Sequence, residues 1–462
     1  MAWPFAKLPR LLRRQSAPVP MRRSFDAATG GRRGFGFRSS GPVSAETIAA
    51  AAPIRARARH AFANNGYLRN GVGAWVAETV GAGIEANSAH PDPDLRPEID
   101  AAFLARAAEI DAEGRTDLRG LTAQIVEAVI VDGEAFAMLE EDADGVRLRL
   151  IPAEMVDEST TRDIGNGGYI AAGVEFNSRG HRVAYHVQPH RPTELFPTAG
   201  QPVRVPASDM LHVFKPLGAG QVRGVSWLAP ILLTVNEFDQ LQDALLVGAK
   251  VAAMHAGFVV DQNNLTGGGA FPEADGLTDI SLEPGVIRVL PAGTDIRFNS
   301  PTEAKDSIAF AKLTLGQIAA GLGVPQHLLD GDLSGANYSS LRAGLLPFRA
   351  KVEQFVYHTL IPQFLDPVFR RVIAHEYLAE RLDLPEIEPA LKAEWLTPRP
   401  MQVDPAKDLA ALKDMLAAGL TSRRQAVASL GWNVDQLDRE IAADRDRETE
   451  LGLRFPDLEG KQ

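Results

Sequence analysis

The chain has 462 residues, 45% of them hydrophobic and 23% charged, which is typical of a globular protein with roughly two to four domains. It contains no cysteine, which excludes disulfides, thiol nucleophiles and cysteine-based zinc sites. Its net charge of -11 argues against a surface that binds nucleic acid everywhere, and no apolar run predicts a membrane span.

Positive charge is concentrated at the start of the chain. Residues 1–59 contain twelve lysines and arginines against two acidic residues, so this stretch carries +10 and the remainder -21. Residues 1–45 alternate Arg, Gly, Ser and Pro, a composition that predicts a flexible basic arm. We expect this arm to become ordered only against a partner.

Residues 46–224 predict an α+β region. Helical spacing covers 46–84, where Trp75 is expected in the core, and 117–131. Alternating apolar residues then predict strands, which pair as hairpins over 135–151 and 173–187 and continue at 203–205 and 210–214.

Two long amphipathic helices are predicted next. The first covers 225–256, with Ser226 as its N-cap and Pro230 in its first turn, and would extend roughly 45 Å. The second covers 303–322 and ends at Gly323-Val324-Pro325, because glycine and proline favour helix termination.

Between these helices lies a small insert, 257–302, with a loop containing Gly267-Gly268-Gly269 and short strands at 286–290 and 295–298. The glycines lack the strand-to-helix context of a phosphate-binding loop, so we interpret them as a flexible loop.

A polar loop rich in Gly, Asp, Ser and Asn follows at 323–340. Helical spacing resumes over 341–384, where internal prolines such as Pro347 and Pro362 predict kinks. Residues 385–462 predict short helices after a proline-rich connector.

The polar loop and its flanks contain three short motifs: Gly323-Val324-Pro325, Leu328-Leu329 and Asn337-Tyr338-Ser339-Ser340-Leu341-Arg342. In this order and spacing they resemble the lambda-type family of tailed-phage portal proteins, and the similarity extends from about Arg57 to Leu453. The resemblance implies an α+β, portal-like fold in which each predicted segment has a counterpart. These are a wing (46–224), two stem helices (225–256 and 303–322), an α/β clip (257–302), a tunnel loop (323–340), a kinked wing helix (341–384) and a helical crown (385–462).

The resemblance also implies a function. Portal proteins form a dodecameric ring at one capsid vertex, through which double-stranded DNA passes during packaging and ejection. The terminase large subunit and the head–tail connector dock on the ring, which sits beside the major capsid protein. Such a ring is not an enzyme, requires no cofactor or metal, and belongs to the virion after assembly in the host cytoplasm.

The tunnel loop is the candidate site. The resemblance implies that six of its residues face the channel and touch DNA lightly: Asp332, Leu333, Ser334, Asn337, Tyr338 and Ser340. An acidic body suits a conduit, because many lysine or arginine contacts to phosphate would hold DNA in place.

Catalytic motifs are absent from the sequence. It has no His-Glu-x-x-His, no Gly-x-Ser-x-Gly and no Walker loop. Glu140-Glu141 is interpreted as a solvated turn, and His181, His186 and His190 lack an acid that completes a metal-ligand pattern. Two alternatives stay open: a soluble hydrolase with an unrecognised site, and a non-viral ring or the same ring in a gene-transfer particle.

Overall fold

The computed structural model describes residues 41–189, 200–253, 257–260, 287–290, 304–335, 337–398 and 404–453. These residues form a mixed α/β structure, as predicted. The helices are α1 Val43–Asn64, α2 Gly66–Val80, α3 Arg96–Ala108, α4 Leu118–Val131, α5 Leu232–Ala253, α6 Ala304–Leu322, α7 Gln326–Asp330, α8 Tyr338–Phe355, α9 Asp366–Leu378, α10 Pro405–Ala417, α11 Arg423–Ser429 and α12 Val434–Leu451. The strands are β1 Glu85–Ser88, β2 Ala135–Glu141, β3 Val146–Ile151, β4 Arg162–Gly165, β5 Gly168–Ala171, β6 Val174–Phe176, β7 Arg182–Val187, β8 Val203–Pro206, β9 Met210–Val213, β10 Gly257–Val260, β11 Ile287–Leu290 and β12 Ala393–Leu396.

The strands of the α+β region form two antiparallel sheets. The first has the order β3-β2-β9, and the second is a five-stranded meander from β4 to β8. Both predicted hairpins are confirmed, since β2 pairs with β3 and β6 with β7. A second, smaller core lies where Phe136 of the first sheet and Tyr185 of the second meet edge to face.

The predicted helical region 46–84 consists of two helices, and the first begins at Val43, inside the predicted arm. Asn65 separates them: its side chain accepts a hydrogen bond from the Leu68 N–H at 2.9 Å and so caps α2. Trp75 of α2 is buried, and its Nε1 donates to the Leu322 carbonyl at 3.1 Å. Its assignment to the core is confirmed.

Two paired elements were not predicted. Strand β1 pairs antiparallel with β12, which lies some three hundred residues later in the chain. Helix α3 packs on α9, where Phe103 contacts both Phe369 and Trp395. Strands β1 and β12 are each four residues long, so the alternation of apolar and polar residues is too short to detect in the sequence.

The first long helix is shorter than predicted. Helix α5 begins at Leu232, and Ser226 instead organises the turn that precedes it. The Ser226 hydroxyl accepts from the Leu228 N–H at 3.1 Å and donates to the Ile130 carbonyl at 3.2 Å. The 22 residues of α5 give a length of about 33 Å, so both the predicted N-cap and the predicted length were wrong.

The insert is described only in part. Strands β10 and β11 pair in parallel, with Gly257 opposite Ile287 and Val260 opposite Leu290. The strand predicted at 286–290 is therefore confirmed. The strand predicted at 295–298 and the glycine loop Gly267-Gly268-Gly269 lie outside the described residues.

The polar loop is shorter than predicted, because α7 occupies part of it. Leu329 in this short helix is buried against α2, so the segment is not wholly polar surface. Helix α8 then begins at Tyr338 rather than at 341.

The long helix that follows continues from α8 through a π-helical section, Val356–Leu365, into α9. Pro362 lies inside the π-helical section. A proline has no N–H to donate, so a change of hydrogen-bond register there is the expected consequence. The helix ends at Leu378, not at 384.

The predicted C-terminal helices are confirmed as α10 to α12. Ser422 caps α11, accepting from the Gln425 N–H at 3.1 Å. Among the described residues of α10 to α12, Ala426 is the one that is buried, so these helices form a thin, largely exposed layer.

Candidate functional site

Both ends of the polar loop are fixed by helix caps. Gly331 ends α7 in the left-handed conformation, with φ of 70°, and its N–H donates to the His327 carbonyl at 3.0 Å. At the other end, the Asn337 side chain accepts from the Ser340 N–H, and the Ser340 hydroxyl accepts from the Asn337 N–H, both at 2.9 Å. This capping box fixes the start of α8. Two of the six predicted site residues therefore also serve the helix.

Asp332 forms an ion pair with a residue of α6. Its carboxylate lies 2.7 Å from Lys312 Nζ and also accepts from the Ser334 N–H at 2.9 Å. The bond from Lys312 is the main reason why the pKa of Asp332 is lowered, and the same bond raises the pKa of Lys312. The pairing of Asp332 with a residue twenty positions earlier gave no local signal in the sequence.

The exposed tip of the loop contains Leu333 and Ser334. The Leu333 side chain is 57% exposed, an unusual position for a large apolar residue. The side chain of Tyr338 lies outside the described residues, although its backbone begins α8. The structure thus places the other five predicted residues on one short exposed segment, and the position of all six relative to a channel stays a prediction.

Helix α2 holds the segment that leads into the loop. The Asn70 side chain of α2 donates to the carbonyls of Leu328 and Leu329 at 2.9 and 3.1 Å. Gly71 allows close approach, because a Cβ there would lie 2.6 Å from a Leu322 side-chain carbon. The backbone that leads into the exposed tip is therefore positioned by α2.

A buried charge cluster around Glu134 was not predicted from the sequence. Glu134 is fully buried and lies 2.6 Å from Arg223 Nη2 and 3.0 Å from His212 Nε2. Arg55 of α1 joins Glu134 at 3.3 Å and Glu158 at 2.5 Å. Sequence periodicity cannot reveal such a cluster, since its members come from separate elements.

Arg223 belongs to the segment that leads into α5, and its ion pair with Glu134 connects that segment to the cluster. Its guanidinium also donates to the carbonyls of Ala153, Val156 and Ala172, between 2.8 and 3.2 Å. All of its hydrogen-bonding nitrogens thus have acceptors, which a buried arginine requires. We interpret the cluster as structural support that joins both sheets to the base of α5.

Several other residues considered for catalysis or metal binding in the sequence form ion pairs. His186 lies 3.0 Å from Glu175, which Arg204 also contacts. Glu140 and Glu141 pair with Arg149 and Arg371, so they are not simply a solvated turn. Within the described ranges, no group of His, Asp and Glu is arranged to hold a metal. None of the helices in these ranges has the length and apolar character needed to cross a bilayer.

Comparison with known proteins identifies the class. Residues 30–355 match the phage portal protein, lambda family. The chain is 26% identical to the portal protein of Escherichia phage N15 over 94% of its own length and 92% of that protein. It is 25% identical to portal protein B of Escherichia phage lambda, covering 92% and 90%, and 24% identical to a probable portal protein of Halomonas phage phiHAP-1, covering 87% and 82%.

The chain therefore belongs to the lambda family of phage portal proteins, as the loop motifs indicated. This is a family of structural virion proteins and not of enzymes. Two solved structures are also similar. One is a chain from the virion of a native gene transfer agent particle, with 16% identity, 86% and 95% coverage and a TM-score of 0.43. The other, from the neck of that particle computed with C12 symmetry, has 14% identity, 81% and 92% coverage and a TM-score of 0.40.

Proposed function

We propose that twelve copies of this chain form a closed ring at one capsid vertex, through which double-stranded DNA passes during packaging and ejection. The terminase large subunit and the head–tail connector dock on the clip, and the ring contacts the major capsid protein. The assignment of wing, stem, clip, tunnel loop and crown to the predicted segments is part of this proposal.

The observation that carries the proposal is the exposure of the α5–α6 pair in the single chain. From Asp239 to Lys250 every residue of α5 is exposed except the half-buried Leu241. In α6 the residues from Ile308 to Leu313 are exposed as well, except the half-buried Ala311. Large apolar side chains cover this surface: Leu245, Leu246, Val247, Ile308, Phe310 and Leu313.

An apolar helix pair of this kind needs neighbours. Fully burying one such side chain contributes about 1.5–3 kcal/mol, so six of them on each chain favour association. In a closed ring each chain has a neighbour on both sides, and a repeated contact covers these faces in every copy. In this arrangement the loop after α6 is repeated in every subunit.

The assembly test compares the parent with variants in negative-stain micrographs and by mass measurement. The double variant Leu246→Glu/Phe310→Glu puts two carboxylates on the exposed α5–α6 surface, and we expect single chains in place of rings. Leu378→Glu is the matched control, because Leu378 is equally apolar and 77% exposed but lies at the end of α9. A parent that stays monomeric at high concentration and is absent from virions would contradict the proposal.

The loop test adds a cation at the exposed tip. Leu333→Arg offers one charge-assisted phosphate contact per subunit, so intact rings should package DNA more slowly, most clearly at low salt. Leu378→Arg is the control for added charge. Equal packaging rates for the two variants, at every salt concentration, would show that the loop does not line the channel.

The remaining alternative is a ring of this kind in a gene-transfer particle. The DNA inside purified particles distinguishes a phage from a gene-transfer particle. A phage packages its own genome, including the gene for this chain, whereas a gene-transfer particle carries fragments of host DNA. Sequencing the packaged DNA therefore decides between them.

A further inference from the structure

The cations on either side of the polar loop both meet acidic partners. Between residues 308 and 348 the sequence contains two lysine or arginine residues, Lys312 and Arg342. Lys312 of α6 pairs with Asp332 at 2.7 Å, and Arg342 of α8 pairs with Asp408 of α10 at 3.0 Å. Each pair joins two different elements, so neither is a consequence of helical spacing.

The Lys312–Asp332 pair is accessible to a passing ligand. The two side chains are 54% and 35% exposed, and exposed ion pairs are held weakly because water and salt compete for both partners. A phosphate that came within reach would compete for the Lys312 ammonium in the same way. How strongly this part of the surface binds DNA therefore depends on whether the Lys312 ammonium is paired with Asp332 or with a phosphate.

We infer that Asp332 masks Lys312: its carboxylate occupies the ammonium and keeps it from binding the phosphates of DNA that moves past the loop. This inference rests on the proposed function. It differs from simple repulsion, because the effect of Asp332 then depends entirely on Lys312. In a ring of copies, loss of the mask would present one lysine per subunit to the duplex.

The Asp332→Asn variant tests this inference with little disturbance of the loop. An asparagine keeps the side-chain oxygen that accepts from the Ser334 N–H, and it loses the charge that occupies Lys312. The matched control is Glu140→Gln, which removes a carboxylate about as exposed as that of Asp332 from its pair with Arg149 on the β2–β3 hairpin. Lys312→Gln and the double variant Asp332→Asn/Lys312→Gln complete the set.

The measurement is binding of linear duplex DNA to purified full-length rings over a range of salt concentrations. We expect Asp332→Asn to bind more tightly at low salt, with a plot of log affinity against log salt steeper by about 0.9 for each phosphate newly contacted. The double variant and Glu140→Gln should bind as the parent does. Closed circular DNA, which cannot thread a ring, should show no difference among the variants.

Three outcomes would overturn the inference. Unchanged binding by intact Asp332→Asn rings would show that Lys312 does not meet DNA. Equally tight binding by the double variant would mean that Asp332 acts by direct repulsion. An equal effect on circular DNA would place the contact outside the channel. Failure of the proposed function looks different, because the parent itself would then form no rings or its rings would not admit linear DNA.

Discussion

Glu134 shows at the scale of single residues how the α+β region is joined to the helices. Its carboxylate accepts from Arg223, Arg55, His212 and the Gly224 N–H, the last at 2.8 Å. Opposite charge and hydrogen bonds lower its pKa, against the burial that would raise it. With Glu158, the two acids balance the two arginines, so the cluster is neutral when His212 is uncharged.

We expect Glu134→Gln to destabilise the fold by about 3–5 kcal/mol, because it leaves the two buried arginines with Glu158 alone as their counter-charge. The free energy of unfolding, measured in denaturant, checks this. Glu140→Gln, which breaks a pair about a third exposed, should cost far less. Similar losses for the two variants would contradict the structural role of the cluster.

His212 makes stability depend on pH. Its Nε2 faces Glu134, while its buried Nδ1 has no hydrogen-bond partner among the described residues, so a second proton there would find no acceptor among them. Burial is the main reason that the pKa of His212 is lowered, to about 4. An unfolded histidine titrates near pH 6.5. Between those values the unfolded chain binds more protons, so the free energy of unfolding decreases as the pH is lowered, by about 1.4 kcal/mol per unit.

The pH prediction is tested with His212→Gln, which keeps a donor for Glu134 but does not titrate. Between pH 7 and 4.5, the thermal unfolding midpoint should decrease less with acidification in this variant than in the parent. This pH range excludes most of the stability that protonation of Glu134 would remove. The pKa of Glu134 is lowered in the fold, so its contribution to the free energy of unfolding is lost only at more acidic pH. His181→Gln, at an exposed turn, is the control. Parallel pH profiles for His212→Gln and the parent would exclude His212 as the source.

At the scale of elements, the start of α8 depends on one side chain of the predicted site. Asn337→Ala removes the acceptor for the Ser340 N–H, whereas Asn337→Asp retains it. We expect the alanine variant to lose about 1 kcal/mol and the first turn of α8 to exchange its amide hydrogens faster. The aspartate variant should be protected like the parent. Unchanged exchange in the alanine variant would show that the cap does not hold this end of the loop.

At the scale of the whole molecule, the basic N-terminal stretch divides into two parts. Residues 1–40 lie outside the described structure, but Arg55 and Arg59 belong to α1 and pair with acids of the α+β region. Part of the positive charge counted over 1–59 therefore stabilises the fold.

Truncation should separate these two parts. Deletion of 1–40 should leave the thermal unfolding midpoint unchanged and reduce incorporation of the ring into capsids or its retention of DNA. Deletion of 1–59 also removes Arg55 and leaves Glu134 and Glu158 with one arginine fewer, so the remaining chain should unfold at a lower temperature. If deletion of 1–40 changed neither capsid incorporation nor DNA retention, the predicted role of the arm would be wrong.

The sequence by itself determined the α+β class, the two hairpins, α6, the C-terminal helices and the family. These features depend on local periodicity, caps and turn residues, which lie within a few positions of one another. The start of α5 was misplaced because the preceding turn is set by contacts with Ile130, a residue of another helix.

Only the tertiary structure decided the pairing of β1 with β12, the Glu134 cluster and the ion pair between Asp332 and Lys312. In each case the partners are separated along the chain, and a charge or a short strand carries no local mark of the residue it will meet. The exposed α5–α6 surface is a similar case. Its apolar stripe predicts burial, and only the folded chain shows that the single copy leaves much of that stripe uncovered.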